Sequence, residues 1–112
     1  MTLFERIANR EIPATIVFED DDLIAFRDIA PQAPIHVVIT TKRAIATPND
    51  IAQNDASLIG RMVLAGAVIA KAEGIAERGY RLVMNCNRDG GQSIDHIHMH
   101  LLGGRQMGWP PG

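Results

Sequence analysis

The sequence predicts an α+β domain: a five-stranded antiparallel sheet with one short N-terminal helix and one long helix. Three observations carry this. Short runs rich in β-branched or aromatic residues are bounded by turn signals. The segment 55–73 repeats its apolar residues at helical spacing. The run from His96 to Leu102 alternates histidine with apolar residues at the period of a strand.

Taken in order, Thr2 and Glu5 form a capping-box pattern, so a short helix follows Thr2 to about Asn9 with Leu3, Phe4 and Ile7 on one face. Pro13 closes that unit. TIVFE (15–19) and LIAFRD (23–28) read as a hairpin around the acidic turn Asp20–Asp22. PQAP (31–34) is a rigid connection into a third strand, IHVVIT (35–40). TPND (47–50) marks a loop and a helix start. Leu58, Met62, Ala65, Ile69 and Ala72 then share one face of the long helix, which Gly74 terminates. Gly60 and Gly66 weaken this helix and suit close packing against a sheet. YRLVMN (80–85) and HIHMHLL (96–102) supply the last two strands, and the helices are expected on one side of the sheet.

At 112 residues the chain suits one domain, 1–112, ending in an extended tail from about residue 103. A formal net charge of −2 provides no general basic field, so binding to a nucleic-acid polymer is not expected. Cys86 is the only cysteine, which excludes an internal disulfide and suits a reducing, cytoplasmic setting. The longest uncharged apolar run, Met62–Ala70, is far short of the roughly 20 residues that span a bilayer. The N-terminus carries charges throughout and lacks the apolar block of a signal peptide, so neither membrane nor export is expected.

His96, His98 and His100 are three of only four histidines, and strand alternation puts them on one face, about 6.8 Å apart. Ile97, Met99 and Leu101 take the opposite face, against the long helix. Imidazoles in place of valines sacrifice burial energy, which marks a site. Two chemistries use such a row. Histidines at i and i+2 can converge on zinc, with His36 as a further ligand. Alternatively, rings with a pKa near 6.5 can present a neutral nucleophile at one position and a hydrogen-bond donor at another around a phosphate. The preceding NRDGGQS (87–93) favours phosphate, because its glycines let backbone approach a ligand and its N–H groups near Gln92 and Ser93 can form an anion nest. It is not a P-loop, since a strand follows it and the Lys-Ser/Thr ending is missing.

His96-Ile97-His98-Met99-His100-Leu101-Leu102 resembles the signature of the histidine triad superfamily. The GGRQMGWPPG tail, REIPATIVFEDD, FRDIAPQAPIHVVI, GYRLVMN and DGGQS resemble its Hint branch, the histidine triad nucleotide-binding proteins, in order along nearly the whole chain. The resemblance implies a HIT-like fold and a homodimer in which two sheets join into one of ten strands. It implies binding of purine nucleoside monophosphates and hydrolysis of phosphoramidates such as adenosine 5′-phosphoramidate to AMP and an amine. It implies no metal and no cofactor. By the same likeness, His98 is the nucleophile that carries a nucleotidyl intermediate. His100 contacts the phosphoryl oxygens and assists the leaving group, His96 holds the geometry, and His36 stands beside the triad. Asn85, Gly91, Gln92 and Ser93 would bind phosphate, with Ser93 near the leaving amine. Asp28 would hold the ribose, and Phe4, Ile7, Phe26, Ile29 and Val38 would enclose the base with Leu3 at its edge. Trp109, the only tryptophan and by the resemblance a further nucleotide-binding residue, sits in a proline-stiffened tail that would dock near a partner's site. Asp95, Gly108 and Ala44 depart from the pattern of animal members, which have an aromatic residue, a histidine and a histidine there.

Two rival readings accompany this one. A nucleotide-binding adaptor with residual catalysis would carry the same triad, and a zinc-dependent hydrolase would use the imidazoles as ligands.

Overall fold

A computed structural model describes residues 1–112. Its elements are α1 (Leu3–Ala8), β1 (Ile16–Glu19), β2 (Leu23–Arg27), β3 (Ile35–Thr41), α2 (Ala56–Ala72), β4 (Tyr80–Val83), the one-turn α3 (Asn87–Gly90) and β5 (His98–Gly103). The five strands form one sheet in the order β1-β2-β3-β5-β4, with every neighbouring pair antiparallel. Strand β5 is thus inserted between β3 and β4, which places the histidine-bearing strand inside the sheet. No helix is long and apolar enough to cross a membrane.

The capping box at α1 forms as its sequence predicts. Thr2 Oγ1 accepts from the Glu5 N–H at 3.1 Å, and Glu5 Oε1 accepts from the Thr2 N–H at 2.8 Å. One layer of the core lies under α2: Met62, Ala65 and Ile69 pack with Leu23, Ala25, Val37, Ile39, Met99 and Leu101. Phe4 and Ile7 of α1 form a second cluster with Ile24, Phe26 and Val38. Alternation along β2 puts Ile24 and Phe26 opposite Leu23 and Ala25, so the two helices cover opposite faces of the sheet. The expectation of helices on one side is therefore corrected. The uninterrupted apolar run LIAF in β2 is the signature of a strand buried on both faces.

Several boundaries also move. Two 3₁₀ turns, Pro48–Asp50 and Gln53–Asp55, precede α2, so TPND starts a turn and the helix begins later. Within α2, Ala72 is exposed, and Gly66 and Ala70 take buried positions instead. At Gly66 the helix lies close to the sheet: a Cβ there would lie 3.1 Å from Leu82 Cδ2 and 3.4 Å from Ile39 Cδ1. Gly60, in contrast, faces open space. Replacing it should recover helix propensity without a clash, so Gly60→Ala is expected to stabilise the fold by about 0.5–1 kcal/mol. A shift of the urea midpoint upward checks this; a shift downward would contradict it.

Strand β5 starts at His98 rather than at His96. Ahead of it, the Ile97 N–H donates to Ile45 O at 2.7 Å and Ile97 O accepts from Thr40 Oγ1 at 2.7 Å. These bonds take Ile97 out of the β3–β5 ladder, whose last pair is Thr40 with His98. Strand β4 ends at Val83, leaving Asn85 in the connection to α3.

Candidate active site

Between α1 and the sheet lies a cleft of about 230 Å³. Leu3, Phe4, Ile7, Phe26, Ile29 and Val38 line its apolar part, and Asp28, Ser93, His98 and His100 supply polar groups. All ten were singled out from the sequence. Ile12, Pro13, Ala14, Arg27 and Ile94 also line it and were missed. Ile12, Pro13 and Ala14 lie on the segment that leads out of α1, the helix whose residues wall the cleft.

The histidines differ in what holds them, and their partners determine which nitrogen carries the proton. His98 Nδ1 lies 2.8 Å from the carbonyl oxygen of His96. A carbonyl only accepts, so Nδ1–H donates and the lone pair is on Nε2. His98 lines the cleft, and its ring packs edge-on against Phe4 with centroids 4.9 Å apart. His36 Nδ1 accepts from the Gln32 N–H at 3.0 Å, which puts the proton of neutral His36 on Nε2. That Nε2–H donates to His100 Nδ1 at 2.9 Å and lies 3.4 Å from Asp28 Oδ2. His100 therefore accepts at Nδ1 and carries its proton on Nε2. The site thus holds one ring with a free lone pair and a neighbour with a free N–H, their centroids 5.1 Å apart.

His96 lies behind this pair and is fully buried. Its Nε2 is 2.7 Å from the Thr41 carbonyl oxygen, so Nε2–H donates, and its Nδ1 meets Thr2 Oγ1 at 2.7 Å. Both nitrogens are occupied. A zinc cage built from the three triad rings would have to dismantle these bonds. The potential ligand atoms that do gather, within 4.8 Å of one another, belong to Asp28, His36 and His100. Two of those rings are bonded directly to each other.

Burial pushes His36, His96 and His100 below the ordinary histidine value of 6.5. The Asp28 carboxylate opposes this at His36, and His98 and His36 reinforce it at His100. In the unfolded chain these three rings take up protons near 6.5, and in the fold only at lower pH. The unfolded state then binds more protons across that window, so stability rises with pH and is lost as pH falls below about 6.5. Thermal unfolding followed from about pH 8 down to about pH 5 should show Tm falling mainly in the lower half of the range. A flat profile would contradict the neutral, buried assignment.

Four residues that the resemblance assigns to the nucleotide lie outside the cleft lining: Asn85, Gly91, Gln92 and Trp109. Gln92 is engaged with its own loop and with the segment after β3. Its Nε2 donates to Ala46 O at 2.7 Å and Ile94 O at 2.9 Å, and its Oε1 accepts from the Asn87 N–H. The Gly91 and Gln92 N–H groups donate to the Arg88 and Asn87 carbonyls, closing α3 and leaving Ser93 as the exposed polar residue of the expected nest. Gly91 adopts φ +80°, which turns the chain out of α3 toward Ser93. Trp109 is 85% exposed on a tail that Arg81 holds through a bond to Gly108 O. Thr2, Gln32 and Thr41, which orient the histidines, were not anticipated. The capping box marks Thr2 only as a helix N-cap and not as a partner of His96, and no local pattern marks Gln32 or Thr41 as a partner of a histidine.

Comparison with known proteins bears on this arrangement. The family model for the HIT domain matches residues 9–107. A purine nucleoside phosphoramidase of Escherichia coli strain K12 is 55% identical over 107 residues, covering 96% of this chain and 90% of that protein. The adenylylsulfatase HINT1 of Arabidopsis thaliana is 45% identical, covering 99% of this chain and 76% of that one. The crystal structure of a HIT family hydrolase from Legionella pneumophila superposes with a TM-score of 0.98 at 55% identity over the full length of both chains.

Proposed function

The chain belongs to the HIT domain family, and from that premise we propose that it is a purine nucleoside phosphoramidase. It would cleave substrates of the adenosine 5′-phosphoramidate type to AMP and an amine through a nucleotidyl-His98 intermediate. The observation that carries this reading is the proton placement: His98 Nδ1–H is held by a backbone carbonyl, which leaves Nε2 free to act as a nucleophile at the cleft.

In the first step the Nε2 lone pair bonds to the α-phosphorus as the P–N bond breaks, and the electron pair of that bond leaves on the amine nitrogen. The amine takes a proton from solvent relayed by the exposed Ser93 hydroxyl. With its Nδ1 accepting from His36, His100 would turn its Nε2–H to the phosphoryl oxygens and from there assist the leaving group. In the second step water adds to phosphorus, the Nε2–P bond breaks with its pair returning to the ring, and the surplus proton goes to solvent. Phe4, Ile7, Phe26 and Val38 would sandwich the purine, and Asp28 would accept from the ribose hydroxyls. Asn85, Gly91 and Gln92 would shape the loop that presents Ser93.

The same reading includes a homodimer. β4 is a free edge of the sheet, and α2, which packs beside it, leaves Val63, Leu64 and Val68 exposed. Pairing two β4 edges would cover both features and bring the exposed Trp109 tail near a partner's cleft. Sedimentation equilibrium should return twice the 12.2 kDa chain mass.

The direct test is incubation with adenosine 5′-phosphoramidate in excess chelator. AMP release undiminished by the chelator is the expected result. Activity lost with chelator and restored by zinc would favour the zinc hydrolase, and AMP release no more than residual would favour a binding adaptor.

A further inference from the structure

We propose that Thr2 is a positioning residue for the nucleophile, acting through His96. The inference rests on the reading of His98 as nucleophile and extends the site to the N-cap of α1.

One hydroxyl meets two demands there. Thr2 Oγ1 accepts the Glu5 N–H that caps α1, at 3.1 Å, and lies 2.7 Å from His96 Nδ1. Because His96 Nε2–H donates to the Thr41 carbonyl, its Nδ1 is an acceptor, and the Thr2 proton must point to it. The lone pair and the proton of one hydroxyl are thereby assigned, which leaves it no free rotation. His96 is clamped from both sides, by the start of α1 and by the last residue of β3. Its own carbonyl oxygen is the group that holds His98 Nδ1–H at 2.8 Å. The line Thr2 to His96 to His98 is continuous in hydrogen bonds, and the Phe4 ring braces it by touching both His96 (5.4 Å) and His98 (4.9 Å). Since Phe4 and Ile7 also wall the cleft, the element that receives the substrate's apolar part is the element that orients the attacking ring.

Three substitutions separate positioning from helix capping. Thr2→Val removes the hydroxyl at similar shape, Thr2→Ser restores it, and Thr2→Asp caps the helix but offers only acceptors, which forces a proton onto His96 Nδ1. Formation of the His98 adduct from saturating adenosine 5′-phosphoramidate should slow on the order of 10- to 100-fold in Thr2→Val and Thr2→Asp, with AMP affinity unchanged. Thr2→Ser should recover most of the rate. Nitrogen NMR shifts should show His96 Nδ1 unprotonated in the wild type and protonated in Thr2→Asp, and His98 losing its fixed Nδ1–H in Thr2→Val. Wild-type rates in Thr2→Val, or full recovery by the cap-competent Thr2→Asp, would overturn the proposal. If the wild type forms no adduct, the nucleophile reading fails, and the NMR shifts still decide the positioning: a His98 tautomer indifferent to Thr2 overturns it.

Discussion

His98→Ala is expected to lower turnover of adenosine 5′-phosphoramidate on the order of 10⁴-fold while leaving AMP binding nearly intact. In the proposed mechanism the ring supplies the bond to phosphorus through Nε2, the nitrogen that its hydrogen bond to the His96 carbonyl leaves free. His98 and His100 are the two imidazoles that line the cleft. His100 is the nearest candidate, but its Nδ1 accepts from His36 and its Nε2 carries the proton. The apolar wall of Phe4, Ile7, Phe26 and Val38 packs with Ile24 in a cluster that does not include His98, although Phe4 also meets the His98 ring edge-on. The folded state should therefore survive, with the loss confined to kcat. Steady-state kinetics and calorimetric titration with AMP check both halves. Near-normal turnover would remove His98 from the reaction, and lost AMP binding would show that the substitution had damaged the cleft itself.

His96→Ala should fail in a different way, although the two residues are only one position apart in the alternation. The His96 ring is fully buried, bridges Thr2 Oγ1 to the Thr41 carbonyl and packs against Phe4. Truncation opens a cavity and strands a buried carbonyl, for a loss of about 2–4 kcal/mol. Urea unfolding should report that loss as a lower midpoint at unchanged slope. His96→Ala with stability within about 0.5 kcal/mol of wild type would mean that solvent or neighbouring groups replace the bridge freely. The contrast assigns structure to the first triad histidine and chemistry to the second.

How far the sequence disclosed this site follows from the range of the interactions. The capping box at Thr2 and the apolar partners Ile97, Met99 and Leu101 are local patterns that form where the sequence places them. The alternating strand also forms, but from His98 rather than His96. The face of α2 was read less well. Gly66 and Ala70 are buried because the helix sits close to β3 and Leu82, and a count of larger apolar residues passes over them. The side of the sheet taken by α1 was misjudged, although the doubly buried run in β2 carried the information. The proton placement on His96 and His100 was beyond reach, since it depends on bonds across 94, 64 and 55 residues of chain: Thr2 to His96, His36 to His100, Thr41 to His96. That on His98 and His36 rests on near neighbours, the His96 carbonyl and the Gln32 N–H, but on a backbone path that residue types alone do not fix. The triad marks the candidate site, and the hydrogen bonds of the fold assign a proton position to each ring.

The measurement that bears most directly on the account is recovery of the covalent intermediate. Reactions with phosphorus-labelled adenosine 5′-phosphoramidate, quenched rapidly under denaturing conditions that preserve P–N bonds, should yield a labelled peptide containing residues 96–100. Fragmentation should place the nucleotide on His98. Label on another side chain, or turnover to AMP with no labelled peptide at any quench time, would contradict attack by the His98 ring.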